Sequence, residues 1–191
     1  MKKRINFITF DEFKLLVSKC KDKELKIAMI LGYGSGLRIS EIVGYQRKYK
    51  FKKKVRYEDH SKIPPLTRDK INMETHQITI DEAKGGKWRI APLSPAFKPE
   101  FLKGLPLGVL RRTLQNKFDA LTKKVLNKKM SFHILRHGFG NYMVNVKKLP
   151  ITMVQGMMGH SSVAVTGVYA KANPTESINE AWRAMGGQWK S

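Results

Sequence analysis

One stretch near the C-terminus limits most strongly what this chain can fold into. It reads KMSFHILRHGFGNYMVNVKKLPITMVQGMMGHSSVAVTGVYAK from Lys129 to Lys171, and its reactive side chains are His133, Arg136, His137, His160 and Tyr169. Taken singly, an Arg or His within an apolar helix is usually a structural residue. Together these five predict a phosphate site. The upstream chain is expected to supply the remaining groups and a surface for nucleic acid.

The charge of the chain points to a polyanionic partner. Its 37 Lys and Arg residues against 15 Asp and Glu residues give a formal net charge of +22, far beyond what solubility requires. DNA and RNA are the commonest polyanions that such a domain binds. Between Glu100 and Glu176 the one acidic residue is Asp119, so the C-terminal half is expected to present positive potential.

Cysteine usage and hydropathy indicate a globular, soluble protein of the cytoplasm. A single Cys20 excludes an internal disulfide and a cysteine metal site, which fits a reducing compartment. The N-terminal apolar run is short and ends before Asp11, so it is not a signal peptide. No apolar run approaches the length of a membrane span, and no membrane partner is expected.

Hydrophobic periodicity predicts an α+β fold that is mainly helical, with a small antiparallel sheet. A capping box, Thr9 to Glu12, opens a first helix over about residues 10–21. Strands are predicted at 77–80 and 88–93, joined by a tight Gly85-Gly86 turn. Further helices are predicted at about 25–31, after Arg38 with Ser40 as its cap, and at 107–126, 132–146, 152–158, 163–170 and 178–185.

Local patterns in the sequence give further predictions about single residues and about the domain organisation. The glycines at positions 32, 34 and 36 predict a loop with unusual backbone angles. Leu110 is placed on the apolar face of the long helix, Met157 and Met158 in the core, and His76 in solvent. A single domain over residues 1–191 is predicted, with an insertion at about 45–65 and a tail helix at about 175–186.

The insertion holds the densest basic run in the chain. Residues 47–56, RKYKFKKKVR, include seven basic residues and no acid. One interpretation is a solvated, partly mobile loop. The other is a contact with the DNA backbone, since Lys and Arg neutralise phosphates and the interleaved aromatic residues pack on sugars or bases. The candidate DNA-binding residues are Arg47, Lys48, Lys50, Lys52, Lys53, Lys54 and Arg56.

The order of the motifs resembles the catalytic domain of the tyrosine recombinases, also called the phage integrase family. The resemblance covers about residues 7–182, and H-x-x-R-H and G-H-S-S with Tyr nine positions after the His are its most specific parts. The matching positions are Arg38 in GLRISE, Lys84 in KGGK, His133 and Arg136 in HILRH, His160 in MGHSS, and Tyr169 in VYAK.

The resemblance implies a catalytic role for each of these six residues. Arg38 and Arg136 are expected to hold the non-bridging phosphate oxygens, with His133 and His160 donating to the same phosphate. A neutral His133 is able to accept the proton of Tyr169, the nucleophile of a 3′-phosphotyrosyl intermediate. Lys84 is implied as the general acid for the leaving 5′ oxygen, although Lys87 is close enough to exchange roles with it. No metal or other cofactor is implied.

Other residues near these motifs receive supporting roles. Glu41 matches an acid that often accompanies the first arginine and is expected to orient Arg38 or His133. His137 is expected to pack the helix or support its neighbours.

Two departures from the family pattern affect the expected DNA binding. The catalytic motifs begin almost at the start of the sequence, so the N-terminal core-binding domain of the family is expected to be absent, in a truncated or a minimal form, and weaker or less specific DNA binding is expected. The segment between Arg38 and Lys84 is longer than usual, and the insertion is expected to replace part of the missing contacts. Family members recombine two duplexes as tetramers, so self-association on DNA is expected, with the helix at 178–185 docking either on a neighbour or on its own domain.

The resemblance therefore predicts a site-specific DNA recombinase, an integrase of a mobile element such as an archaeal virus or plasmid. Two alternatives remain at this stage. One is a nicking and closing enzyme of the type IB topoisomerase kind, which uses closely similar chemistry. The other is a non-catalytic basic DNA-binding module, although binding alone does not require Tyr169.

Overall fold

Two capped helices begin the part of the chain that the structure describes. A computed structural model describes residues 7–45, 48–51, 54–57, 63–83, 87–159 and 174–187. Helix α1 (Phe10–Lys19) starts at the predicted capping box, in which Thr9 Oγ1 accepts from the amide of Glu12 and Glu12 Oε2 accepts from the amide of Thr9. Asp22 caps helix α2 (Lys23–Gly34) in the same way, accepting from the amide of Leu25. These caps satisfy amides that a helix cannot pair internally.

The prediction of a loop at residues 32–36 is wrong for residues 32–34, because α2 continues to Gly34. The glycines are there for close packing. A Cβ on Gly32 would lie 3.0 Å from the Phe132 ring, and one on Gly34 would lie 2.2 Å from Ser94 Oγ. Gly36, with φ of +67°, does adopt the left-handed conformation, and it turns the chain into helix α3 (Ile39–Val43).

The basic insertion contains a β-hairpin rather than a loop. Strands β1 (Lys48–Phe51) and β2 (Lys54–Tyr57) pair antiparallel, with Lys48 opposite Tyr57 and Phe51 opposite Lys54. Lysine and aromatic residues alternate along β1, and this period of two is the pattern of a strand. At the base of the insertion, Tyr45 and Ile63 exchange two backbone hydrogen bonds of 2.8 and 2.6 Å.

The predicted strand pair is confirmed and belongs to a sheet of three strands. Strand β4 (Gln77–Ala83) pairs antiparallel with β5 (Lys87–Pro92), and a short β3 (Ile71–Asn72), which the sequence did not indicate, pairs with β4. The register shifts between Ile80 and Ala83, close to the tip of the hairpin. The predicted Gly85-Gly86 turn lies outside the described residues.

The long amphipathic helix begins later than its periodicity suggested. Helix α4 spans Arg111–Leu126, and Leu110, predicted on its apolar face, is its N-cap and 76% exposed. Pro106 and Gly108 disfavour a helix in the preceding turn, so that segment is not helical, and Leu107 and Val109 are buried. On the opposite face, Arg111, Arg112, Lys123 and Lys124 are exposed, whereas Lys117 pairs with Asp22 at 2.6 Å.

The last elements surround helix α5 (His133–Asn141), which continues as a π-helical turn at Tyr142–Val146. Helix α5 packs against α2, and helix α6 (Ile151–Met158) follows it.

Helix α7 (Pro174–Ala184) packs against β5 of its own chain, with Ala181 and Trp182 buried. The Trp182 ring stacks on His76 with centroids 3.7 Å apart, so the expectation of a solvent-facing His76 is wrong. Met157 and Met158 are buried, as predicted. The helix predicted at 163–170 lies outside the described residues.

In the ranges that the structure describes, no helix combines the length and the apolar character needed to cross a bilayer.

The contact between α5 and α2 depends on a glycine and can be tested. A Cβ on Gly138 would lie 2.5 Å from Tyr33 Cε2 and 2.9 Å from the carbonyl oxygen of Ile8. Gly138→Ala is therefore expected to destabilise the fold by about 2 kcal/mol, as overpacking does. The measurement is the free energy of unfolding in urea.

Gly140→Ala, in the same helix, is the matched control. Its Cβ would lie 3.2 Å from the Sδ atom of Met158, a flexible side chain. Its strain should be offset by the helix propensity gained, about 1 kcal/mol. Equal stabilities of the two variants would contradict the packing role of Gly138.

Candidate active site

Arg136 lies at the centre of the site and is almost completely buried. It is 2% exposed on α5. One terminal nitrogen donates to the carbonyl of Gly36 at 2.6 Å, and the other donates to the carbonyl of Met158. The left-handed Gly36 is required here, because a Cβ would lie 2.7 Å from the ring of Phe139. Arg136 thus links the end of α6 to the turn before α3.

Arg38 occupies that turn and is held by Glu41. The sequence placed the helix cap at Ser40, but Arg38 itself is the N-cap of α3, and its amide donates to Glu41 Oε2 at 2.7 Å. One guanidinium nitrogen donates to Glu41 Oε1 at 2.8 Å, and the other to the carbonyl of Gly159 at 3.1 Å. The expectation that Glu41 orients Arg38 is therefore confirmed.

Arg89 is the member of the site that the sequence interpretation missed. It lies on β5 and is 8% exposed. One terminal nitrogen donates to Glu41 Oε2 at 2.7 Å and the other to the carbonyl of Met157 at 2.8 Å. The alternation of β5 held the signal: Trp88 is 69% exposed and Ala91 is buried. Arg89 shares the parity of Ala91, so an inward arginine was predictable.

Three arginines from three elements thus bind three successive carbonyl groups at the end of α6. Arg89 binds Met157, Arg136 binds Met158, and Arg38 binds Gly159. Carbonyls in the last turn of a helix lack internal partners and carry its negative dipole end, which favours cations. Gly159 ends the helix in the left-handed conformation with φ of +66°.

The site holds more positive than negative charge. Three guanidinium groups surround one carboxylate, Glu41, which is 3% exposed. Burial, followed by the charges of Arg38 and Arg89, lowers the pKa of Arg136 to about 9, so it remains protonated at neutral pH. Burial also lowers the pKa of Arg89, although Glu41 opposes that effect. Such a site favours the arrival of an anion.

His133 lies one helical turn before Arg136 on α5 and is exposed. Residues three apart are neighbours on a helix surface, so this imidazole lies at the outer edge of the arginine site. Its ring contacts that of His137 edge to face, with centroids 4.6 Å apart. His137 is exposed as well, which fits a group that supports its neighbour more than one that packs the helix.

The remaining predicted site residues fall largely outside the described ranges. Lys84 is in the segment between Ala83 and Lys87, and His160 and Tyr169 follow Gly159 in the segment 160–173. Arg47, Lys52 and Lys53 also lie outside. Lys48 and Lys50 belong to β1, and Lys54 and Arg56 belong to β2, so the structure describes the main chain of these four residues. The structure thus brings together Arg38 and Arg136 at the end of α6, with His133 one helical turn before Arg136 on α5.

The described residues contain no group of three or more His, Cys, Asp or Glu side chains placed to hold a metal ion.

Sequence comparison relates the chain to recombinases. Residues 108–176 match the model of the phage integrase family. The chain is similar to tyrosine recombinase XerA of Pyrococcus horikoshii, with 28% identity over 91% of this chain and 59% of that protein. It is also similar to tyrosine recombinase XerD of Corynebacterium glutamicum, with 29% identity over 79% of this chain and 49% of that protein. The chain thus spans about half to three fifths of these relatives.

Solved structures share the fold. The integrase of mycobacterium phage Brujita superposes on 96% of this chain and 59% of its own, with a TM-score of 0.66 and 16% identity. A XerA recombinase gives a TM-score of 0.57 at 20% identity, covering 96% of this chain and 66% of its own. The mainly helical α+β prediction is therefore confirmed. The relatives matched in sequence are tyrosine recombinases, which agrees with the first of the three predicted functions.

The dependence of the site on Glu41 gives a stability prediction. Glu41→Gln removes the carboxylate charge from a buried group of guanidinium ions, and breaking a buried ion pair in this way costs about 3 kcal/mol. We expect a loss of that order in the free energy of unfolding in urea. Glu74→Gln, at an exposed position, is the control and should change it by less than about 0.5 kcal/mol. Equal effects of the two substitutions would mean that Glu41 does not hold the arginines.

Proposed function

The chain carries a phage integrase family domain with the fold of a tyrosine recombinase catalytic domain, and we propose that it cleaves and rejoins duplex DNA at specific sites. One observation carries this proposal: Arg136 and Arg38 donate hydrogen bonds to two adjacent carbonyl groups, those of Met158 and Gly159. This places two guanidinium groups side by side, with an exposed His133 one turn away. The proposed substrate group is a phosphodiester.

The arginines would supply electrostatic stabilisation. Attack on a phosphodiester adds negative charge to its non-bridging oxygens, and fixed cations lower the barrier most when they are already in place. Each guanidinium has five N–H donors, so Arg38 and Arg136 keep donors beyond those bound to the protein. Arg136 is nearly buried, so a phosphate reaches it only with a local rearrangement, whereas Arg38 is more accessible.

Tyr169 is proposed as the nucleophile. Its oxygen forms a bond to the phosphorus, the bond to the 5′ oxygen breaks, and the DNA remains attached as a 3′-phosphotyrosine. His133 would accept the tyrosine proton and Lys84 would protonate the leaving 5′ oxygen, with Lys87 as the alternative acid. His160 would donate to the same phosphate. Attack by a 5′-hydroxyl then reverses the step, and the intermediate conserves the energy of the broken bond.

Double-stranded DNA is the proposed partner, in keeping with the net charge of +22. Proteins that share the fold are bound to DNA, among them the Tn1549 transposon integrase with circular intermediate DNA and a lambda integrase dimer on a core site. We propose that this chain likewise self-associates on DNA, as a tetramer when it recombines two duplexes. Helix α7 packs on its own chain, so an exchange between protomers requires its release.

A covalent trapping experiment tests this function on DNA of any sequence. The protein is incubated with a pool of nicked duplexes of randomised sequence, in which cleavage beside the nick releases a short oligonucleotide and blocks rejoining. Adducts that survive denaturant are sequenced. We expect the wild-type protein to enrich one sequence and Tyr169→Phe to give no adduct. An equal adduct with Tyr169→Phe would exclude the assigned nucleophile.

The role of the basic hairpin can be tested by a deletion that the fold permits. Tyr45 and Ile63 are hydrogen-bonded to each other, so residues 46–62 can be replaced by a two-residue Asn-Gly turn. If the hairpin binds DNA, the slope of log affinity against log salt should fall by about 0.9 for each phosphate that the protein no longer neutralises.

A second variant keeps the hairpin and removes its charge, with Gln at Lys48, Lys50, Lys54 and Arg56. It should reproduce most of the decrease in slope. A slope unchanged by both variants would exclude the hairpin from the DNA interface.

A further inference from the structure

We propose that Arg89 is a positioning residue for the cleavage reaction, a role that rests on the proposed function. It would act through Glu41 on Arg38 and through the carbonyl of Met157 on the peptide that leads to His160. Neither contact brings Arg89 to the substrate itself. It would therefore set the geometry of the groups that bind the phosphate.

The contacts of Arg89 give it this position. Its two terminal nitrogens bind groups on different elements, Glu41 on α3 and Met157 on α6. Its own element is fixed by the pairing of Arg89 with Ile80 across the sheet. The planar guanidinium offers its donors in a rigid fork. Arg89 therefore fixes the distance between α3 and the end of α6.

Glu41 transmits that constraint to Arg38. Its Oε2 atom accepts from both Arg89 and the amide of Arg38, and its Oε1 atom accepts from the guanidinium of Arg38. A shift of the carboxylate toward or away from Arg89 therefore turns the guanidinium of Arg38. A misplacement of about 1 Å at a catalytic group costs about a hundredfold in rate.

The side chain of Arg89 also packs against Gly159, the residue before His160. A Cβ on Gly159 would lie 2.5 Å from Arg89 Cδ and 2.6 Å from its Nε, so the end of α6 rests directly on this side chain. Within the described residues, Nε has no hydrogen-bond acceptor, although it is buried. The site thus keeps a buried cation with an unused donor beside the chain that continues to His160.

Stability alone is a weak explanation for this arrangement. A buried ion pair often contributes little net stability compared with apolar residues of similar volume, because desolvation offsets the attraction. Placement of Arg38 and of the α6 terminus is an effect that an apolar side chain would not reproduce. The two explanations make different predictions for a lysine at this position.

Arg89→Lys separates the two roles. A lysine keeps the charge beside Glu41, so much of the stability should be retained, but its ammonium is a point charge and lacks the fork that reaches Met157 as well. Arg89→Met removes both roles. Arg68→Met, at an exposed position, is the control for the removal of one arginine.

The experiment measures three quantities for the full chain and these variants: the temperature of unfolding, the affinity for the DNA selected in the trapping experiment, and the rate of adduct formation at saturating DNA. For Arg89→Lys we expect a rate at least about tenfold lower, an affinity within about threefold of wild type, and an unfolding temperature close to that of wild type. Arg68→Met should match the wild type in all three.

Two results would overturn the proposal. In the first, Arg89→Lys forms the adduct at the wild-type rate. In the second, Arg89→Lys lowers the unfolding temperature, and its loss of rate is no larger than the loss of folded protein accounts for. That result would indicate a purely structural role.

A second arm serves if the wild-type protein forms no adduct, a result that removes the proposed function but leaves the geometry to be judged. Sodium sulfate is compared with sodium chloride at equal ionic strength, and the sulfate-specific rise in unfolding temperature reports anion binding to the folded state. Arg38→Ala gives the baseline for the general salting effect of sulfate. Arg89→Lys should lose most of the specific rise. An undiminished rise in that variant would overturn the positioning role.

Discussion

The candidate site depends on the last turn of helix α6, where three successive carbonyl groups each accept a hydrogen bond from a different arginine. The arginines come from the turn before α3, from strand β5 and from helix α5. These segments are far apart in the sequence, and each brings a guanidinium group with N–H donors that need acceptors. The carbonyl groups at the end of a helix have no hydrogen-bond donor within the helix. The N–H donors of the arginines therefore satisfy these carbonyls, and the carbonyls satisfy the arginines. The elements that carry the candidate site are joined in the process.

Glu41 completes this arrangement but does not neutralise it. One carboxylate faces three guanidinium groups, and burial with mutual repulsion lowers the pKa of Arg136. The fold therefore tolerates a charge imbalance that a bound phosphate would relieve. Under the proposed function, this imbalance would help to hold a single phosphodiester at one defined point, while the basic surface would attract DNA more generally.

Local patterns predicted much of the fold and part of the site. The capping box at Thr9 and the strand pair of β4 and β5 follow from short-range rules, and Arg38 and Arg136 were found from their motifs. The errors arose where packing overrode local preference. Gly32 and Gly34 lie within α2, and their lack of a side chain reflects neighbours that occupy the space of a Cβ rather than a loop. Leu110 is exposed because α4 starts only at the next residue, Arg111. The alternation of β5 indicates that Arg89 points inward, but it does not indicate its partners, Glu41 and Met157, which are distant in sequence.

The central claim is that Arg38 and Arg136 hold a phosphodiester for attack by Tyr169. The most direct measurement is mass spectrometry of the protein after trapping on DNA, nuclease digestion and proteolysis. We expect a nucleotide attached through its 3′-phosphate to the peptide that contains Tyr169, with fragment ions that locate it on that residue. A nucleotide on any other side chain, or one linked through a 5′-phosphate, would contradict the claim.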